Sequence, residues 1–355
     1  MRQDIYDPTK PFNEQVRQLI QVTHPQDGPI TLRPHGKRFR VIRDHDYWRD
    51  YDELTGTDGI GTKGLLHWRM GTLRNGVQDV FAMVMDDLME GGYVPVILQD
   101  HILMQEEDEE KIFTLTRALR DLCVQNPWEV SHDRTNPIII SGGETAIINT
   151  IQGFEMGITA TGYVTKGGEI ASMAGDGDVI IGLGSNGIHS NGLSFYRQEL
   201  LDNRGMKLDS MLPWGVTVGE ELTRPTHVYM PALKELIAKH GESVYGMVHI
   251  TGGGLSKLRE LLPEKRDVDI EVSRTHLLKP QEIFLYAHEL GTSSDRMYTR
   301  FNNGVGYAIA VEGSTAADAL KTLRQYFPAE IIGQVNPGTG RVVIESQYDS
   351  STVSY

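Results

Sequence analysis

From residue 76 onward the apolar positions fall into a rhythm. Val77, Val80, Phe81, Val84 and Leu88 recur at three- and four-residue spacing, which predicts an amphipathic helix over 76–91 stopped by Gly91-Gly92. Ile112, Leu115, Leu119 and Leu122 predict a second helix over 108–125. Its acidic start, Glu106 to Glu110, suits the positive end of a helix dipole and reads as a solvated face. Short β-rich runs at 93–98, 137–140, 157–165, 179–183, 246–250, 268–272 and 305–311 predict strands. Further helices are expected near 193–202, 230–240 and 281–290. Residues 1–55 carry Pro8, Pro11, Pro25, Pro29 and Pro34 and are expected to be irregular. Strands and helices intermix in both halves, which predicts two α/β domains. The polar, glycine-rich stretch Gly167–Asp178 marks the boundary, giving domains at 56–174 and 175–345 and a tail at 346–355.

Charge narrows the function. Lys and Arg number 34 against 48 Asp and Glu, a net charge of −14. That acidity argues against a nucleic-acid partner, which needs a basic surface, and leaves room for one phosphorylated metabolite. The single cysteine, Cys123, excludes a disulfide framework and a cysteine metal cluster within one chain. No apolar run approaches the ~18 residues that span a bilayer. Met1 to Asp4 lead into Pro8 without an apolar signal core, so a cytoplasmic location is expected.

Glycine supplies the positive signal. There are 38 where the usual ~7% would give about 25, and they bunch at 56–64, 142–143, 182–192, 252–254 and 304–306. The first bunch, Gly56-Thr57-Asp58-Gly59-Ile60-Gly61-Thr62-Lys63, places a carboxylate and an ammonium about a glycine turn. Asp58 can hold Mg²⁺, Lys63 can meet phosphate oxygens, and the turn can aim backbone N–H groups at an anion. The stretch is not a Walker A loop, and a plain Asp-Gly turn remains the alternative. Asp86-Asp87 ends the first helix, as Mg²⁺ ligands or as ordinary helix acids. Ser141-Gly142-Gly143-Glu144 reads as a strand followed by a glycine turn, where α/β folds place ligand contacts. In the second half, His189-Ser190-Asn191-Gly192 offers an imidazole, a hydroxyl and an amide before a helix. Thr251-Gly252-Gly253-Gly254 opens a helix whose N–H groups suit an anion.

In this order and spacing the stretches resemble the aminoimidazole ribonucleotide synthetase (phosphoribosylformylglycinamidine cyclo-ligase) family. The resemblance rests on T-D-G-I-G-T-K at 57–63, M-D-D-L-M-E-G-G-Y-V-P at 85–95 and S-G-G-E-T-A at 141–146. It continues through G-D-V-I-I-G-L-G-S-N-G-I-H-S-N-G at 177–192, H-I-T-G-G-G-L at 249–255 and M-Y-T-R-F-N-N-G-V-G at 297–306. It implies two α/β domains, with the amino-terminal sheets of a homodimer paired into a barrel. It also implies use of ATP and Mg²⁺ to cyclise formylglycinamidine ribonucleotide through phosphorylation of its formyl oxygen. On this resemblance the nucleotide would meet Asp58, Gly59, Thr62, Lys63, Asp87, Gly142, Gly143 and Glu144, with Asp58, Asp87 and Glu144 on the metal. The phosphorylated substrate would meet His189, Ser190, Asn191, Gly192 and Thr251 to Gly254. Lys63 and His189 would be catalytic, His189 as a base or as a clamp.

The chain departs from the family pattern in three places. Asp86 stands where Asn is usual, and Ile147 where an acid is usual. The usual glycine-rich amino-terminal segment reads Arg33-Pro34-His35-Gly36-Lys37-Arg38-Phe39-Arg40, either a phosphate cover through Lys37 and Arg38 or an exposed basic strand. Two other readings therefore stay open: a different ATP-dependent amide- or phosphate-activating enzyme of this fold, and a non-catalytic nucleotide-binding paralogue.

Overall fold

The structure, a computed structural model, describes residues 13–35, 38–131 and 134–355. Within the amino-terminal stretch expected to be irregular, the described residues form regular elements. Helix α1 (Asn13–Ile20) precedes an antiparallel hairpin of β1 (Ile30–His35) and β2 (Arg38–Arg43), followed by α2 (His45–Trp48). Alternation decides this: Ile30, Leu32 and Val41 face inward onto Ile97, Trp128, Ile139 and Tyr163. Pro34 is tolerated because a two-stranded hairpin leaves one side of each strand unpaired. The solvent face sets Arg33 directly across from Arg40, both exposed. Lys37 and the Arg38 side chain, the candidate phosphate contacts, lie outside the described residues.

The first half continues with β3 (Tyr51–Gly59), α3 (Lys63–Met70), α4 (Leu73–Glu90), β4 (Val94–Met104) and α5 (Glu109–Gln125). After the short pair β5 (Trp128–Ser131) and β6 (Arg134–Asn136) come β7 (Ile139–Ile147) and β8 (Phe154–Thr165). Four of these strands form a sheet in the order β3-β8-β4-β7, antiparallel except for β4 and β7. Two sequence readings are corrected here. Asp58-Gly59 ends strand β3 and is not in a turn, and Ser141-Gly142-Gly143-Glu144 lies within β7. Gly143 is needed because a Cβ there would collide with the Asp100 carboxylate on the paired strand. The inward face, with Leu98, Ile102, Ile140, Met156 and Ile158, packs on α4 and α5. Gly76 lets α4 approach, since a Cβ there would come within 2.9 Å of Ile60 and Phe154. The outward face shows two threonine pairs, Thr55–Thr161 and Thr57–Thr159, each with hydroxyls 2.9 Å apart.

Residues 166–178 carry neither helix nor strand. Beyond them come β9 (Val179–Gly184), α6 (Leu193–Tyr196) running into a π-helix over Arg197–Asn203, α7 (Val218–Leu222), α8 (Met230–His240) and β10 (Val244–His249). A 3₁₀ helix (Gly254–Leu261), β11 (Val268–Val272), α9 (Glu282–Glu289), α10 (Ser294–Arg300), β12 (Val305–Val311) and α11 (Ala316–Leu323) follow. Strands β13 (Ala329–Pro337), β14 (Val342–Glu345) and β15 (Thr352–Ser354) end the chain. The second sheet has seven strands, β10-β12-β9-β13-β11-β14-β15. The expected tail at 346–355 is thus corrected. It supplies the edge strand, held by the pairing of Ile344 with Val353 and by Arg274, which donates to the carbonyls of Asp349, Ser350 and Ser351.

Helix α4 joins the halves. One core runs from the first sheet through α4 into α8, β9, β12 and α11. Within it Asp79 is wholly buried and accepts from Lys63 Nζ at 2.9 Å and from both the amide and the hydroxyl of Thr226 at 2.7 Å. Its other oxygen lies 2.7 Å from His67 Nε2. Burial alone would raise this carboxyl, but Lys63 and His67 outweigh it and hold it at about 2. Because the folded value lies below the ordinary 3.8, its contribution to stability is complete above that pH and drains away as pH falls through about 2. Asp79→Ala, which strands a buried ammonium, is expected to cost ~3–5 kcal/mol in urea unfolding. The paired change Lys63→Met with Asp79→Leu is expected to recover most of that loss, and neither variant should keep this acid-sensitive component.

Candidate functional site

The turn after β3 places the residues of the first motif in three different settings. Gly61 adopts a left-handed φ of 56° and starts α3 at Lys63. Thr62 Oγ1 lies 3.2 Å from Ser194 Oγ, so the turn touches the start of α6 in the second half. Lys63 points the other way. Its side chain has no exposed surface, and its ammonium donates to Asp79 and to the Arg224 carbonyl at 2.7 Å. The reading of Lys63 as a phosphate contact is corrected: the ammonium neutralises a buried carboxylate, and nothing leaves it open to a ligand.

The acids near the end of α4 are spent on the joint. Asp86 is buried and accepts from the amides of Tyr229 at 3.0 Å and Met230 at 2.7 Å, where α8 begins. Burial pushes its carboxyl up to about 7 against the pull of His249. Asp87 is 42% exposed, and its Oδ1 lies 2.8 Å from His249 Nδ1. Glu90 accepts from the His249 amide at 2.7 Å and from Lys257 Nζ at 3.1 Å. Burial would lower the His249 imidazole, but Asp87, Asp86 and Glu90 raise it above the usual 6.5.

The expected metal set does not assemble. Asp58 and Gly143 fall on one line across the first sheet, through Ile158 and Asp100, at its opposite edges. Three strand spacings are about 14 Å, and Glu144, one residue on, shows its side chain to the other face from Asp58. Among the described residues no group of three or more His, Cys, Asp or Glu side chains is arranged to hold a metal ion. The set Asp58, Asp87 and Glu144 is therefore corrected for a single chain, and the donors do not fit a Mg²⁺ ion among them.

The second-half motifs do come together. A Cβ on Gly252 would sit 3.7 Å from Asn191 Oδ1, which places the Thr251–Gly254 turn beside the Ser190–Gly192 turn. Gly253 and Gly254 have φ of 96° and 56°, and a Cβ on Gly254 would come within 2.6 Å of the carbonyl oxygens of Tyr298 and Phe301. Gly192, at φ 88°, packs on the Phe301 ring. His189 is 2% exposed, with Nε2 3.2 Å from Asn186 Oδ1 and Nδ1 unpartnered. Burial, with His249, His227 and Lys63 nearby, holds its imidazole well below the usual range. Ser190 Oγ, Arg224 Nε and His249 Nε2 are likewise buried without a partner. A run of unpartnered polar atoms along the seam between the halves suits a polar ligand.

Sequence reasoning missed Asp79, Asn186, Arg224, Tyr229 and Lys257. Asp79 had a signal, an acid inside the apolar stripe Val77–Val80–Phe81, which demands a buried partner. Gly306 also had one. A Cβ there would collide with the Tyr229 hydroxyl and come within 2.6 Å of His189 Cε1.

Comparison with known proteins agrees with this architecture. Residues 175–345 match the family model "AIR synthase related protein, C-terminal domain". A phosphoribosylformylglycinamidine cyclo-ligase of Methanobrevibacter smithii is 32% identical over 306 residues, covering 84% of each chain. Among solved structures, thiamine-monophosphate kinase from Stenotrophomonas maltophilia is similar with a TM-score of 0.64 at 17% identity, over 95% of this chain and 96% of that one. The hydrogenase maturation protein HypE in complex with ATP gives 0.59 at 15%, over 85% of this chain and 84% of that one. The structural likenesses show the fold alone, but the sequence relationship reaches further: the chain belongs to the phosphoribosylformylglycinamidine cyclo-ligase family, a family of ligase enzymes.

Proposed function

We propose that this protein is an ATP-dependent cyclo-ligase of purine biosynthesis, converting formylglycinamidine ribonucleotide to aminoimidazole ribonucleotide in the cytoplasm. The observation that carries the reading is family membership across more than four fifths of the chain. ATP use is supported by the ATP complex of the fold neighbour. When bound, ATP supplies the phosphoryl group that turns the formyl oxygen into a leaving group. Such chemistry depends on positioning and charge more than on a covalent nucleophile.

The chain's own residues divide the work. On the outward face of the first sheet, Gly59 pairs with Gly157, and Gly142 lies two strands from Thr159. Gln99 and His101 stand on the same face between these glycines, with Glu144 paired to His101, a polar surface suited to a nucleotide. The anionic end of the substrate fits the Thr251–Gly254 turn, where the 3₁₀ helix presents its first amides, with Ser190, Asn191 and Gly192 alongside. Thr62 closes the seam through Ser194. Lys63 acts at a distance, holding the Arg224 carbonyl and so the segment that backs His189. The threonine-paired outward face is the surface through which a second copy would dock, and a homodimer is part of the reading.

ADP release measured with formylglycinamidine ribonucleotide tests the activity: substrate-dependent turnover is expected. ATPase activity only with a different substrate, or tight ATP binding without turnover, would replace the reading. The dimer has its own test. Thr57→Lys with Thr159→Lys sets like charges on that face and should convert a dimer to a folded monomer in sedimentation velocity. A wild-type chain that sediments as a monomer at micromolar concentration overturns the dimer.

A further inference from the structure

The environment of His189 fixes which of its nitrogens carries hydrogen. Asn186 Nδ2 lies 2.9 Å from the Pro225 carbonyl oxygen, and Asn186 Oδ1 lies 3.2 Å from His189 Nε2. A carbonyl only accepts, so the amide must turn its nitrogen to Pro225 and its oxygen to the ring. An amide oxygen also only accepts, so the hydrogen between them belongs to Nε2. A neutral ring with hydrogen on Nε2 has a bare lone pair on Nδ1, and that atom is buried with no partner.

The surroundings do not satisfy the lone pair. The rings packed against His189 are His227 at 6.0 Å and Tyr229 at 6.1 Å between centroids, and His249, 6.2 Å from Tyr229, acts on His189 through charge. The Tyr229 hydroxyl is committed to the Gly184 carbonyl at 2.8 Å. Lys63 and Asp79 act on the ring through charge and are bound to each other. Leaving a buried polar atom unpaired is unfavourable, and a ligand donor would remove that cost.

We propose that Asn186 is a positioning residue that holds His189 as the Nε2–H tautomer, so that Nδ1 accepts a hydrogen bond from an N–H group of the bound substrate. The cyclo-ligase reading enters only in naming that donor as the amidine. Nothing in the fold lets Asn186 drift. Its anchor at Pro225 sits between Arg224, whose carbonyl receives Lys63, and Thr226, whose amide and hydroxyl are bound to Asp79. The buried charges of the first half thereby set the orientation of a ring in the second.

The full chain, labelled with ¹⁵N-histidine, tests this directly, with His189→Asn used to assign the His189 signals. The wild-type ring is expected to show hydrogen on Nε2 and none on Nδ1. Asn186→Leu removes both contacts and should abolish that preference and lower kcat/KM by about tenfold or more, the worth of one hydrogen bond. Asn186→Asp keeps an acceptor for Nε2 but adds charge facing His227, His249, Lys63 and Asp79, so the acidic limb of the kcat/KM–pH profile should move to higher pH. A purely structural asparagine would leave the tautomer preference of the ring intact in Asn186→Leu. Hydrogen on Nδ1 in the wild-type spectrum overturns the proposal without any variant. So does a folded Asn186→Leu with unchanged spectrum and unchanged kcat/KM. If the wild type fails to turn over formylglycinamidine ribonucleotide yet shows the Nε2–H ring, lost in Asn186→Leu, the cyclo-ligase reading falls and the tautomer assignment stands.

Discussion

A carboxylate removed entirely from water must be answered on every lone pair, and Asp79 is answered by an ammonium, an imidazole, an amide and a hydroxyl. That requirement organises the molecule. It explains why Lys63 turns into the core, why α3 and α4 lie where His67 and Asp79 can meet, and why residues 224–226 are pressed against the first half. A few turns along α4, Asp86 and Glu90 repeat the device with the amides of α8 and β10. The two halves therefore meet through charges compensated in depth, with apolar contact around them. Replacing such a network by apolar residues of similar volume is often neutral for stability. What the network adds is a fixed register between two glycine-rich loops and a histidine.

Much of this organisation was legible in the sequence where periodicity was strong. Helix α4, helix α5 and strands β9, β11 and β12 fall where the apolar rhythm put them, because each buries one stripe or one face. The failures have a common cause. Asp58-Gly59 and Ser141-Gly142-Gly143-Glu144 look like turns because glycine and acid usually punctuate chains, yet both lie in strands. Their glycines answer a neighbouring strand, as Gly143 makes way for Asp100. The hairpin of β1 and β2 was hidden by prolines that a two-stranded edge accepts, and β15 by a polar composition that an edge strand allows.

The site was half legible. His189 to Gly192 and Thr251 to Gly254 read correctly as neighbours, since glycines at positive φ mark where backbone comes close. The carboxylates misled, because residue type does not tell a ligand from a capping group. Asp86 and Glu90 cap amides, Asp87 pairs with His249, and Asp58 and Glu144 end up on opposite edges of one sheet. Asn186 carried no signal beyond its place in the 177–192 motif. Its importance comes from the carbonyl behind it and the ring in front, a three-dimensional fact with no spacing rule.

The joint between the halves is made largely with main-chain atoms of the second half. Lys63 takes the Arg224 carbonyl, Asn75 the Thr223 carbonyl and Gln78 the Thr226 carbonyl. Asp86 takes the amides of Tyr229 and Met230, and Glu90 that of His249. Main-chain atoms are supplied by almost any residue. Segment 223–230 can therefore exchange its partly exposed side chains, Arg224 and His227 among them, while Thr223, Thr226, Tyr229 and Met230 stay buried and the interdomain geometry stays fixed. Divergence of ligand preference on this scaffold need not pass through unstable intermediates, since recognition and assembly are carried by different atoms of the same eight residues.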